Sequence, residues 1–152
     1  MTEIDFYTHV EDRLRVACQL VRKAHARKLR VLVLFDDEAE LCRLDEQLWT
    51  FHPHAFLPHC RIGDAVARDT PVLLACEDVT PPPHEELLIN LRAQPPQHFA
   101  RFQRLLEIVG VDDADRTRGR ERFRYYRDRG YPLRTHALDR SSDGLAAAAE
   151  DA

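Results

Sequence analysis

The pattern of apolar and polar positions in the first half of the chain predicts strands that alternate with helices. A nearly unbroken apolar run from Leu29 to Phe35 is typical of a strand buried on both faces of a sheet. Helices are predicted over about 10–28 and 38–49, because apolar residues recur there at helical spacing. A first strand is predicted over about 4–8. The resulting β-α-β-α order is typical of a parallel sheet with right-handed crossovers.

The second half of the chain has shorter apolar runs, separated by prolines. Three further strands are predicted, over about 70–76, 86–91 and 104–109. A single helical turn is predicted over about 98–102, after Pro95 and Pro96. A last helix is predicted over about 112–129, because Gly130 is a typical residue to end it.

Together these elements predict one α/β domain over residues 1–138. A mostly parallel central sheet with helices packed against it makes a three-layer α/β/α architecture with Rossmann-like topology. A chain of 152 residues is long enough to bury such a core without disulfides or metal. We expect residues 139–152 to form a flexible C-terminal tail.

Composition limits the class of protein. With 44% hydrophobic and 32% charged residues, the chain has an ordinary composition for a soluble protein. No apolar stretch approaches the roughly 20 residues of a membrane span, and the acidic N-terminus lacks the pattern of a signal peptide. We therefore expect a cytoplasmic protein without membrane contact. Its four cysteines form no CxxC pair, which favours reduced thiols.

Sites for enzymatic chemistry have little support in the sequence. The first β-α turn has no glycine, and no GxGxxG or Walker sequence occurs, which argues against a nucleotide site. Three histidines and a cysteine lie within residues 52–60, but their spacing matches no usual zinc-ligand pair. Asp36 and Asp37 follow a central strand, where ligands bind in open parallel sheets, although helix capping is the simpler explanation. We expect no catalytic residues, no cofactor and no metal.

Positive charge is concentrated in the last predicted helix, which holds seven arginines within residues 116–129. An inward stripe of Gly119, Phe123 and Tyr126 would place four arginines together on the adjacent flank. These are Arg116, Arg120, Arg124 and Arg127. One interpretation is a solvated basic face that offsets the acidic remainder of the chain. The other is a basic rim that pairs with the carboxylates of an acidic peptide beside an apolar groove.

Two longer motifs occur in the order and spacing of one known family. The first is RLDEQLW at residues 43–49, followed by FLPH at 56–59. The second is RERFRYYR at residues 120–127. With them the chain resembles, from Thr2 to about His136, the chi subunits of bacterial DNA polymerase III holoenzyme, which are accessories of the clamp loader. Members of that family resemble nucleotide-binding α/β proteins in fold but do not bind a nucleotide. This agrees with the absence of a glycine-rich loop from the first β-α turn of this chain.

The resemblance implies a non-catalytic protein with two binding surfaces. One surface would bind the psi subunit of the clamp loader, and the family's aromatic positions for it fall on Trp49 and Phe56. The other would bind the acidic C-terminal tail of single-stranded-DNA-binding protein, whose last residues are apolar. The family positions for that tail fall on Val109, Arg116, Arg120, Phe123 and Arg124. Among these, Arg120 is the first candidate to pair with the tail's carboxylates.

These considerations predict an accessory subunit of DNA polymerase III that links the clamp loader to single-stranded-DNA-binding protein, with mainly indirect contact to nucleic acid. One alternative is a direct nucleic-acid-binding protein that uses the arginines of the last helix. The other is a small-ligand α/β enzyme with its ligand near Asp36 and Asp37. Without the resemblance, Trp49 and Phe56 would be assigned to the core.

Overall fold

A computed structural model describes residues 1–50 and 57–138 of the chain. The strands in these ranges are β1 (Glu3–Val10), β2 (Val31–Leu34), β3 (His59–Arg61), β4 (Val72–Ala75), β5 (Leu87–Asn90), β6 (Arg104–Gly110) and β7 (Leu133–Ala137). The helices are α1 (Arg13–Ala26), α2 (Glu38–Thr50) and α3 (Asp113–Asp128), with 3-10 turns at Ala67–Asp69 and Phe99–Arg101. Within the same ranges, the helices are too short or too polar to cross a membrane.

The strands form one sheet in the order β3-β4-β2-β5-β6-β1-β7. Every strand pair is parallel, so the predicted α/β class is confirmed. The side chains of α1 and α2 share a core with one face of the sheet. Those of α3 share a second core with the other face, and the molecule therefore has three layers.

The structure also corrects the predicted elements at several points. The helix predicted from residue 10 begins at Arg13, because the Asp12 side chain accepts a hydrogen bond from the Arg15 N–H at 3.1 Å and so caps it. Strands β3 and β7 were not predicted. Both lie at sheet edges, where β3 has three residues and β7 is largely exposed, so neither shows the apolar run of a buried strand.

The ends of α3 are set by the residues that flank it. At its start, the Asp112 side chain accepts a hydrogen bond from the Asp115 N–H at 2.8 Å, which satisfies one of the free donors of the first turn. At its end, Gly130 has a φ of 81°, a left-handed conformation that glycine adopts without steric cost. The predicted stop at Gly130 is confirmed.

Candidate functional site

A pocket of about 390 Å³ opens at the carboxyl ends of β1 and β6, against α3. Phe6 and Val109 from the sheet and Phe123 from α3 form an apolar wall. Arg116 and Arg120, which are also on α3, line the same pocket and are exposed to solvent. The pocket therefore combines an apolar interior with two cations at its opening.

Close contact between α3 and β6 at Gly119 sets one wall of the pocket. A Cβ atom added at Gly119 would lie 2.8 Å from both methyl carbons of Val109, closer than real Cβ contacts. Only glycine lets the helix lie this near the strand. One turn further along α3, the Phe123 ring meets the Phe6 ring edge-on, with 5.3 Å between ring centroids. These contacts fix the side of α3 from which the arginines project.

An irregularity in β1 shapes the opposite rim of the pocket. The register with β6 shifts between Tyr7 and Val10, and His9 has a φ of 61°. A bulge of this kind turns the strand and changes the direction of its side chains. Thr8 and His9 line the pocket as a result, and no local pattern of residues predicts this bulge.

The structure brings together four of the five residues expected to bind a peptide tail. Val109, Arg116, Arg120 and Phe123 line the one pocket. Arg124 is exposed on α3 but is not among the residues that line the pocket, and its involvement stays a prediction. Arg127, expected on the same flank, is also exposed and lies 3.2 Å from the Asp128 carboxylate.

The charge of the two pocket arginines is uncompensated within residues 1–50 and 57–138. No carboxylate in these ranges lies within ion-pair distance of Arg116 or Arg120. By contrast, the Arg122 guanidinium on the same helix is 2% exposed and is paired with Glu107. An exposed arginine without an internal partner is free to form paired hydrogen bonds to an external carboxylate.

A buried polar network fixes α3 to the sheet beside the pocket. The Glu107 carboxylate on β6 is fully buried and accepts hydrogen bonds from Arg122 Nε at 3.0 Å and from the Tyr126 hydroxyl at 2.5 Å. Asn90 Nδ2 on β5 lies 3.0 Å from both Glu107 oxygens. Arg122 also donates to the carbonyl oxygen of Ala93 at 3.1 Å. Arg122 and Tyr126 thus connect α3 by hydrogen bonds to β6, through Glu107 to β5, and to the loop at Ala93.

Burial dominates the electrostatics of this network. It raises the pKa of Glu107 above its ordinary value, and the Arg122 guanidinium and the hydrogen-bond donors offset part of that rise. Burial and the nearby Glu107 charge also raise the pKa of Tyr126, so its hydroxyl remains a donor. Because a buried carboxylate without a cation would be costly, Arg122 is needed where it lies.

This network was not predicted from the sequence, where Arg122 counted only as one of the seven arginines within residues 116–129. A signal for it was present. The buried residues of α3 are Asp115, Gly119, Arg122 and Tyr126, which recur at helical spacing. The inward stripe therefore includes Arg122, while Phe123 is only half-buried. A lone acid within the apolar strand β6 was the complementary signal.

The second predicted surface lies on α2. Trp49 is in the last turn of that helix and is 52% exposed, so assigning it to the core would be wrong. Its ring lies 4.7 Å from the His59 ring, centroid to centroid, and His59 Nε2 lies 3.0 Å from the Asp45 carboxylate. Phe56 lies outside the described residues, and the pairing of Trp49 with Phe56 stays a prediction.

The aspartates after β2 have structural contacts. Asp36 accepts hydrogen bonds from the Ala93 N–H at 2.7 Å and from Arg92 Nε at 3.1 Å. Asp37 accepts one from the Ala39 N–H at 2.9 Å, as a residue at a helix start does. Capping thus explains Asp37, and Asp36 instead holds the loop after β5. In the parts of the chain that the structure describes, there is no cluster of three or more histidine, cysteine, aspartate or glutamate side chains that could bind a metal ion.

Comparison with known proteins gives a consistent result. Residues 1–134 match the family described as "DNA polymerase III chi subunit, HolC". The chain is 38% identical to DNA polymerase III subunit chi of Pseudomonas aeruginosa over 144 residues, which cover 92% of this chain and 99% of that protein. It is 32% identical to the subunit of the same name from Haemophilus influenzae over 120 residues, which cover 79% and 83%. For the Escherichia coli subunit the identity is 28% over 134 residues, covering 88% and 89%.

Proposed function

Since the chain belongs to the DNA polymerase III chi subunit family, we propose that it is a non-catalytic accessory subunit that links the clamp loader to single-stranded-DNA-binding protein during replication. The psi subunit would join it to the clamp loader. The pocket beside α3 would take the acidic tail of the single-strand-binding protein. One observation carries this proposal: Val109, Arg116, Arg120 and Phe123 line the same pocket.

The chemistry of the pocket suits an acidic peptide that ends in an apolar side chain. The apolar side chain would lie between Val109, Phe6 and Phe123, and its burial contributes about 1.5–3 kcal/mol. Carboxylates of the peptide would pair with Arg116 and Arg120 at the opening. Since both guanidinium groups are exposed, their main effects are a faster association rate and sensitivity to salt. The apolar wall then determines how long the peptide stays bound.

The arrangement of the layers supports simultaneous binding of two partners. The pocket lies on the face of the sheet that α3 covers. Trp49 lies at the end of α2, which packs on the other face. A psi subunit held by Trp49 and Phe56 would therefore leave the pocket open. Aromatic residues at such positions dominate binding energies when a partner buries them.

Calorimetry with a synthetic acidic peptide whose last residue is apolar tests the pocket. Arg120→Ala should weaken binding at least about tenfold, because a hydrogen bond between charged groups contributes about 1.5–3 kcal/mol. Arg118→Ala is the matched control, since Arg118 is exposed on the same helix and does not line the pocket. Equal affinities for the two variants would contradict the proposed role of Arg120.

Direct binding of nucleic acid by α3 is the second candidate function. It is favoured by exposed arginines away from the pocket, Arg118 and Arg124. In that case the two alanine variants would weaken oligonucleotide binding equally, because phosphate contacts do not depend on a pocket. An affinity for bare oligonucleotide as high as that for the peptide would favour this function over the adaptor.

A further inference from the structure

We propose that this chain binds a small carboxylate anion in a second pocket, which lies between α1 and the amino ends of β5 and β6. Its lining includes Ala24 of α1, Leu87 of β5 and Leu106 of β6, and all three belong to the core on the α1 face of the sheet. The pocket beside α3 lies at the carboxyl ends of β1 and β6, on the other face. The two sites are therefore separate, and the inference does not depend on the proposed function.

The size of the second pocket suits a group of two acceptor atoms. Its volume is about 30 Å³, and leucine and alanine side chains form most of its wall. Space of about 10–15 Å³ is enough for one water-sized atom, so the second pocket has room for about two. The two oxygens of one carboxylate group would fill this space, whereas a single halide ion would not.

Two buried donors in the second pocket have no hydrogen-bond partner within residues 1–50 and 57–138. They are the Tyr7 hydroxyl and Arg104 Nε, and Tyr7 is fully buried. Arg104 Nη2 donates to the Asp5 carboxylate, which holds the guanidinium group in place with Nε still unpaired. Because a buried donor without an acceptor is costly, an acceptor placed between Tyr7 and Arg104 would recover that cost.

The charges around the Tyr7 hydroxyl keep it a donor. Burial, and then the negative charge of Asp5, raise the pKa of Tyr7 to about 12, while the charges of Arg104, Arg134 and Arg27 oppose that rise. The hydroxyl is therefore protonated at neutral pH. Asp5 itself is paired with Arg104 and, at 2.9 Å, with Arg134. Its charge is thus compensated and does little to repel an anion bound nearby.

The polar side chains that line the second pocket all carry hydrogen-bond donors. Lys23, in the last turn of α1, and Arg27, which follows α1, join Tyr7 and Arg104 there. A carboxylate has only acceptors and matches this set. A water molecule could accept from Tyr7 and Arg104, but its own hydrogens would then face leucine side chains. The second pocket therefore favours a carboxylate over water.

Titration of sodium formate into the isotope-labelled full chain, followed by nuclear magnetic resonance, tests the inference. Formate should shift the amide resonances of Tyr7, Ala24 and Leu106 and the Nε–H resonance of Arg104 along a saturable curve. The dissociation constant should be on the order of 1 mM or higher, because a ligand with so few heavy atoms has a limited binding energy. Sodium chloride at the same ionic strength should give smaller shifts that do not saturate.

Three variants identify the groups that meet the anion. Tyr7→Phe removes the hydroxyl and keeps the ring, which lies 4.9 Å from the His136 ring, centroid to centroid. It should weaken formate binding at least about tenfold, because a hydrogen bond to a charged group is lost. Lys23→Gln should weaken it about two- to threefold, since the charge of a half-buried lysine is partly screened. Lys28→Gln is the matched control and should leave the affinity unchanged, because Lys28 is exposed and does not line the second pocket.

Several results would overturn the inference. Shifts that grow in proportion to formate without saturating would assign the second pocket to water, and saturable shifts that chloride reproduces would assign it to a halide ion. Unchanged formate affinity in Tyr7→Phe would show that the hydroxyl does not meet the anion. If Tyr7→Phe does not fold, the comparison of Lys23→Gln with Lys28→Gln decides: weaker binding by Lys23→Gln supports the site, and equal affinities overturn it.

Discussion

Replacing Arg122 with methionine should destabilise the fold more than any change to an exposed arginine of α3. The Arg122 side chain is 2% exposed, and its Nε lies 3.0 Å from the Glu107 carboxylate, which is fully buried. Methionine keeps much of the volume and removes the charge. Breaking a buried pair by removing one partner typically costs about 3–5 kcal/mol, because the remaining charge is left uncompensated. Arg118→Met, at an exposed position, should change the free energy of unfolding by less than about 0.5 kcal/mol.

The loss caused by Arg122→Met should depend on pH. Burial already raises the pKa of Glu107 above its ordinary value of 4.5. A carboxyl group with a higher pKa in the folded chain binds protons more tightly there, so the free energy of unfolding falls as pH rises from about 4.5 to the folded-state pKa. Removing Arg122 raises that pKa further. The loss should therefore be smallest near pH 4.5 and grow towards neutral pH, as Glu107 ionises without its cation.

Urea unfolding followed by circular dichroism at several pH values between about 4.5 and 8 measures this effect. The double variant Glu107→Gln with Arg122→Met should recover part of the loss at neutral pH, because it leaves no buried charge. A loss below about 1 kcal/mol at neutral pH, or one that does not change with pH, would show that Arg122 does not compensate a buried Glu107 charge. A double variant with a lower free energy of unfolding than Arg122→Met alone would show the same.

Three further changes test other parts of the structure. Gly119→Ala should lower the free energy of unfolding by about 1–3 kcal/mol through overpacking, since its Cβ would meet the Val109 methyl groups at 2.8 Å; an unchanged midpoint in urea would contradict the close contact. Trp49→Ala should weaken binding of a psi subunit in a pull-down titration, with a smaller effect on stability than a core aromatic because Trp49 is 52% exposed. Raising salt from about 0.05 to 0.5 M should weaken peptide binding to the unmodified chain but much less to Arg120→Ala, because salt screens exposed charges; parallel salt dependence would argue against a role for Arg120.

The hydrophobic pattern predicted most of the sheet because its central strands are buried on both faces. The run over β2 is an example, with all four of its residues buried. The edge strands could not be found in this way, since β7 has only one half-buried leucine at its start and is otherwise mostly polar. The pairing of β7 with β1 depends on contacts far apart in sequence, which no local pattern reports.

The candidate site was predictable in its residues but not in its shape. Val109, Arg116, Arg120 and Phe123 were all expected from the family resemblance, and helical spacing alone put Arg116 and Arg120 on one flank. The pocket between them also needs the turn of β1 at His9, which carries no sequence signature. The burial of Arg122 was not predicted for a different reason, because a charged residue is normally solvated unless a buried partner such as Glu107 is present.

The most direct test of the adaptor function is calorimetry with two acidic peptides that differ only in their last residue, one apolar and one serine. We expect the unmodified chain to bind the apolar form and to bind the serine form at least about tenfold more weakly, because the wall formed by Val109 and Phe123 then buries no apolar group. Equal affinity for the two peptides would rule out a role for the apolar pocket, since binding would then depend on charge alone.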